Sequence, residues 1–192
     1  MTHIFAAGIL AAMLFALPKA DALAAELNQF EPVEPRAETP TITINATAHP
    51  IRLPLQSLAN TLFLGDNGEI INYTPTKGIY ASVVTPDEWG NPSIPLGKLP
   101  EYIFEEDTAA VGDAELKEDI RGISRIVLEP RDEKKIGKMV LGDTTVYIAY
   151  SLSKTNLMLV SPDKPNLYSH IVVDGFTWDE IVDDILKGIG SK

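Results

Sequence analysis

The residue types that most often carry chemistry are scarce in this chain. It has three histidines and no cysteine, which removes thiolate metal sites, a cysteine nucleophile and disulfides together. Two of the histidines, His49 and His170, lie beyond the opening segment, and no H-x-x-x-H spacing is present. Two imidazoles that far apart do not make a zinc site without further ligands. His49 precedes Pro50 in an extended stretch and His170 falls in a predicted strand, so both read as structural. A serine hydrolase needs serine, histidine and a carboxylate converging. The nearest motif, Gly122-Ile123-Ser124-Arg125-Ile126, lacks the second glycine of a nucleophile elbow. It also stands before a predicted strand instead of between strand and helix. Neither glycine-rich phosphate loop, G-x-G-x-x-G or G-x-x-x-x-G-K-[ST], occurs. Asp66-Asn67-Gly68-Glu69, and Asp174-Gly175 with Asp179-Glu180, offer oxygen ligands for calcium but lack the D-x-[DN]-x-[DN]-G ladder. No metal and no cofactor are expected.

Carboxylates remain. There are 27 Asp and Glu against 16 Lys and Arg, a net charge of -11. With so many acids, the paired carboxylates of a glycosidase arise by chance. The field repels nucleic acid and anionic lipid and favours a basic protein partner. Residues 101–119 hold eight acids against one base, and residues 121–138 hold six bases against three acids. The bland reading of this dipole is two solvated faces of one domain; the sharper one is an acidic patch for a partner. Trp89, beside Asp87 and Glu88 in a proline-rich loop, is an aromatic of the kind that anchors interfaces. Its alternative is to fold that loop down onto the core. The candidate interface is therefore Asp87, Glu88 and Trp89 with Glu105, Glu106 and Asp107.

The elements that would position these residues are clearest in the back half. Lys138–Leu141, the turn Gly142-Asp143 and Thr144–Leu152 read as a hairpin, with Val146, Ile148, Tyr150 and Leu152 on one face. Leu157–Val160 and Tyr168–Val173 extend it to a four-stranded antiparallel meander. Ile123–Leu128 reads as a further strand, after a short helix capped by Asp113 and ending at Gly122. Thr177 and Glu180 form a T-x-x-E capping box for a C-terminal helix over 177–189. Its apolar stripe, Trp178, Ile181, Val182, Ile185, Leu186 and Ile189, is expected to pack on the meander.

The front half is punctuated by proline, with ten of 14 prolines between Pro32 and Pro100. It predicts short strands over Thr41–Asn45, Glu69–Tyr73 and Ile79–Val84, and a helical turn over Leu55–Leu62. Gly65-Asp66-Asn67-Gly68 predicts a turn, and Pro86–Pro100 a long surface loop. Residues 25–40, rich in Glu and Pro, read as an extended tether. From Ile4 to Leu17 no residue is charged. Pro18 and the small-residue sites Ala20-Asp21-Ala22 and Ala22-Leu23-Ala24 follow. This is the pattern of a secretory signal peptide, 1–24, too short and interrupted to span a bilayer.

The expected molecule is a single α+β domain over 41–192, with the meander backed on one face by the C-terminal helix. It would be exported to the periplasm or beyond and act without catalysis by binding another protein. A toxin inhibitor, an immunity protein or an accessory part of a cell-envelope or secretion assembly would fit. The rival expectations are an envelope hydrolase using the acids of 101–119 and a small-ligand or calcium-binding module.

Overall fold

A strand whose residues are apolar at every position has both faces covered. Val146-Tyr147-Ile148-Ala149 is such a run, and all four residues are buried. The computed structural model describes residues 27–34, 41–44, 49–54, 69–74, 76–90, 92–130 and 134–189. It places that strand near the centre of a three-layer α+β domain.

The strands are β1 (Asn28–Gln29), β2 (Thr41–Ile44), β3 (Ile51–Pro54), β4 (Glu69–Thr74), β5 (Lys77–Val84), β6 (Lys135–Leu141), β7 (Thr144–Tyr150), β8 (Thr155–Val160) and β9 (Tyr168–Asp174). Seven of them form one sheet in the order β1-β6-β7-β8-β9-β5-β4, and β2 pairs with β3 separately. The meander β6 to β9 is antiparallel throughout, as its turns predict. β5 crosses over to pair with β9, and β4 pairs with β5.

One face of the sheet presents Met139, Leu141, Val146, Ile148, Leu157, Leu159, Ile171 and Val173. Ile51 and Leu53 of β3, and Ile181, Ile185 and Leu186 of the C-terminal helix, close over them. Each fully buried Ile or Leu contributes roughly 1.5–3 kcal/mol of transfer free energy, so this layer holds the domain together. The C-terminal helix starts as α3 (Trp178–Glu180), widens to a π turn over Ile181–Ile185 and tightens to a 3-10 turn over Leu186–Gly188. Its capping box forms as the sequence predicts: Thr177 N–H donates to Glu180 Oε2 at 2.9 Å, and Glu180 N–H to Thr177 Oγ1 at 3.3 Å. Lys77 adds an ion pair to Glu180 at 2.5 Å.

The opposite face carries α1 (Leu99–Glu105) and α2 (Ala114–Leu128). Leu99, Ile103, Phe104, Leu116 and Ile120 pack on Tyr147, Ala149 and Met158. Asp113 caps α2 by accepting from Glu115 N–H at 2.9 Å and Leu116 N–H at 3.2 Å. The helix does not stop at Gly122, and Ile123–Leu128 is not a strand but its last two turns. Leu116, Ile120, Ser124 and Val127 are buried at helical spacing. That burial outweighs the ~1 kcal/mol a mid-helix glycine costs and the strand preference of Ile123, Ile126 and Val127. Leu128 ends it because Glu129 precedes Pro130, and a residue before proline avoids the helical region.

Two further differences concern the front half. The stretch 86–100 is more than a loop: it holds 3-10 turns at Pro86–Trp89 and Leu96–Lys98, the second running directly into α1. Of the segment read as a tether, residues 27–34 are described, and part of that stretch is docked. β1 runs parallel to β6, Phe30 N–H donates to Lys138 O at 2.8 Å, and Asn28 Nδ2 donates to Ile136 O at 2.8 Å. The Phe30 ring packs on Trp178 with centroids 5.1 Å apart. Gly137 makes this possible, since a Cβ there would overlap the Asn28 carbonyl and the Phe30 ring. The helical turn expected over Leu55–Leu62, the turn at Gly65–Gly68 and the apolar opening run lie outside the described residues. Among the described residues no helix is long and apolar enough to cross a membrane.

Candidate binding pocket

Alternation along β7 sends Thr145 and Tyr147 to the helix side of the sheet, where register pairs them with Val160 and Met158 of β8. α1 covers the sheet beside Tyr147 but leaves Thr145 and Val160 partly open. A pocket of about 400 Å³ lies there, within the ~300–1,000 Å³ range of ligand sites. Its floor is Thr145, Tyr147 and Val160. One wall is the approach to α1, with Pro95, Lys98 and Glu101; the other is the β8–β9 connection, with Ser161, Pro162 and Pro165. The walls are tied to each other by Gly97 N–H donating to Pro165 O at 2.9 Å. Ser124 Oγ on α2 donates to Ile103 O at 2.7 Å and so holds α1 in position.

The charges around the pocket are arranged in two pairs by helical spacing. Glu101 and Glu105 lie four apart on α1, hence on one face. Glu105 Oε1 meets Lys138 Nζ at 2.9 Å, with both side chains 29% exposed. The Lys138 ammonium also stands 5.9 Å from the Tyr147 ring centroid. Glu101 Oε2 meets Lys98 Nζ at 2.8 Å at the rim, where the lysine side chain is 58% exposed. This hydrogen bond raises the Lys98 pKa, so the lysine stays charged. Tyr147 is 5% exposed, and among the described residues its hydroxyl has no hydrogen-bond partner. Burial, then the fields of Glu101 and Glu105, push its pKa far up. It stays a neutral phenol, able to donate one hydrogen bond and accept others.

The residues singled out from sequence lie in two groups. Trp89 takes the second of its two alternatives. It is half-buried and packs on the α1–α2 core, and its indole N–H hydrogen-bonds the Tyr168 hydroxyl. Burial pushes the pKa of Tyr168 up to about 12. Asp87 and Glu88 are exposed on the 3-10 turn, and Glu88 Oε2 accepts from Thr85 N–H at 2.7 Å. Glu105 pairs with Lys138 on β6, outside the pocket lining. Glu106 ends α1 in a left-handed conformation with φ 55°, and Asp107 Oδ1 accepts from Ala109 N–H at 2.9 Å. None of the six lines the pocket. Of the residues that do line it, Glu101 stands out in sequence within the acidic run 101–119, whereas Lys98, Thr145 and Tyr147 carry no local signal.

Both histidines sit in strand-bound polar pairs. His170 Nε2 lies 3.2 Å from Asn156 Oδ1, in a row across the sheet that also contains Met158 and Ser82. Burial, with Lys154 nearby, lowers its pKa to about 4. On the other face of β9, Ser169 Oγ lies 3.2 Å from His49 Nδ1. Burial lowers the His49 pKa as well, and Lys164 adds to it. Ser169 is wholly buried, so this pair is out of reach of a substrate. Among the described residues no three His, Asp or Glu gather to hold a metal ion. Comparison with protein-family models, with curated proteins and with solved structures finds no match.

Proposed function

We propose that this chain is an exported protein that acts without catalysis, by binding another protein through the pocket over Tyr147. The observation that carries this reading is an open cavity of about 400 Å³ whose floor holds two hydroxyls, of Thr145 and Tyr147, that bond no other described residue, beside the Lys98–Glu101 ion pair. Hydroxyls that face a cavity without a bond inside the fold can donate to and accept from a bound partner. A lysine and a glutamate that already share an ion pair serve recognition better than proton transfer. Export rests on the opening apolar run and its small-residue sites, and the charge of -11 favours a basic partner. A toxin inhibitor or an accessory component of an envelope assembly fits this combination.

The experiment compares tagged wild-type protein with Thr145→Trp, which fills the pocket, in pull-downs from cell-envelope extract. The wild type should retain one stoichiometric partner at low salt and lose it as salt rises; the variant should lose it at every salt concentration. Absence of a stoichiometric partner at low salt, or equal retention by the variant, contradicts the proposal.

A further inference from the structure

We infer that the pocket receives an arginine side chain of the partner, with Glu101 exchanging its own lysine for the incoming guanidinium. This rests on the pocket reading above and names the chemistry it would recognise. Four residues apart on α1, Glu101 and Glu105 each grip an ammonium, from Lys98 at 2.8 Å and from Lys138 at 2.9 Å. The deeper pair is confined between α1, β6 and the Tyr147 ring. The rim pair is an exposed i, i+3 contact, and such surface pairs exchange with solvent at little cost. Glu101 is thus an acceptor lent to Lys98, in a geometry whose neighbour one turn away is a working cation site.

The remaining acceptors suit a guanidinium. Tyr147 is 5% exposed and its hydroxyl lacks a partner among the described residues. The Thr145 hydroxyl, two residues along the same face, likewise makes no hydrogen bond among them. Glu101 lines the pocket together with Thr145 and Tyr147, so a cation that displaces Lys98 meets one carboxylate and two hydroxyls. A guanidinium carries five donors in a planar fork and reaches a carboxylate and a hydroxyl at once; an ammonium is a point charge. Pro95, Pro162 and Pro165 supply apolar walls for the methylene stem.

The test is titration of the full chain, labelled with nitrogen-15, with four blocked tripeptides: acetyl-Gly-X-Gly-amide with X arginine, lysine, citrulline or glutamate. The arginine peptide should saturate, shifting the amides of Lys98, Glu101, Thr145 and Ser161. Lysine should bind several-fold more weakly, and citrulline and glutamate at least about ten-fold more weakly. Glu101→Gln should weaken the arginine peptide at least about ten-fold, and Lys98→Ala should tighten it by removing the competitor. Tyr147→Phe should weaken it several-fold without lowering the melting temperature, because the hydroxyl it deletes bonds nothing within the fold. Equal binding of citrulline, tighter binding of glutamate, or weaker arginine binding in Lys98→Ala overturns the inference. If the arginine inference fails while Thr145→Trp still releases the envelope partner, the pocket reading stands with another ligand. If Thr145→Trp releases nothing, the pocket reading falls on its own.

Discussion

His170 makes the stability of this domain fall as pH drops from about 6.5 toward about 4. Its imidazole is packed in the β8–β9–β5 row beside Asn156, and burial lowers its pKa from 6.5 to about 4. As pH falls below 6.5 the unfolded chain takes up a proton that the folded chain refuses. The unfolded state then binds more protons, so stability drops with pH. With those two pKa values the loss is nearly zero at pH 7.5, about 2 kcal/mol at pH 5 and about 3 kcal/mol at pH 4. It is complete once pH passes below the folded pKa. His49, also lowered, acts in the same direction, so the contribution of His170 must be isolated by substitution. His170→Gln keeps a donor for Asn156 Oδ1 and removes the titration. Urea unfolding at pH 7.5 and pH 5.0, followed by tryptophan fluorescence, should show wild type losing about 2 kcal/mol more than the variant. Equal losses in the two proteins would refute the assignment of a buried neutral imidazole.

The other expectations concern how the pocket and the sheet edge are held. Gly137→Val should overlap the Asn28 carbonyl and the Phe30 ring, displacing β1 and lowering stability by roughly 1–3 kcal/mol; limited proteolysis should then cut near residues 27–34 first. Asp113→Ala removes the acceptor of two α2 amides and should cost about 1 kcal/mol by urea unfolding. Ser124→Ala strips a buried hydroxyl from Ile103 O and should cost about 1–3 kcal/mol. Because α1 carries Glu101, that variant should also weaken partner retention.

Those features of the fold that local chemistry dictates are legible in the sequence. The meander follows from alternation and from Gly142-Asp143 and Pro162–Pro165, and the start of the last helix from Thr177 and Glu180 alone. The C-terminal half of α2 was misread because Gly122 and the β-branched residues after it signal a boundary locally. Only the layer of Leu116, Ile120, Ser124 and Val127 against α1 and the sheet keeps the helix going. The docking of Asn28–Phe30 on β6 was hidden in a stretch whose Glu and Pro content argues for solvent; it depends on a glycine over a hundred positions away. The pocket was illegible for a related reason. It joins residues 95–101, 145–147 and 160–165, all of ordinary types, and its chemistry exists only once the α1 carboxylates stand over β7. Of the acids that composition singles out, Glu105 stands on α1 and pairs with Lys138, and Glu101, from the same acidic run, lines the pocket.

The central claim, that a protein partner seats over Tyr147, is tested most directly by photo-crosslinking in intact cells. The photoreactive residue benzoylphenylalanine would replace Val160 at the pocket floor, and in a separate variant Ile126, which is 69% exposed on the outer side of α2. A single discrete adduct from position 160, and none from position 126, is the predicted result. No adduct at 160, or equal adducts from both positions, would contradict it.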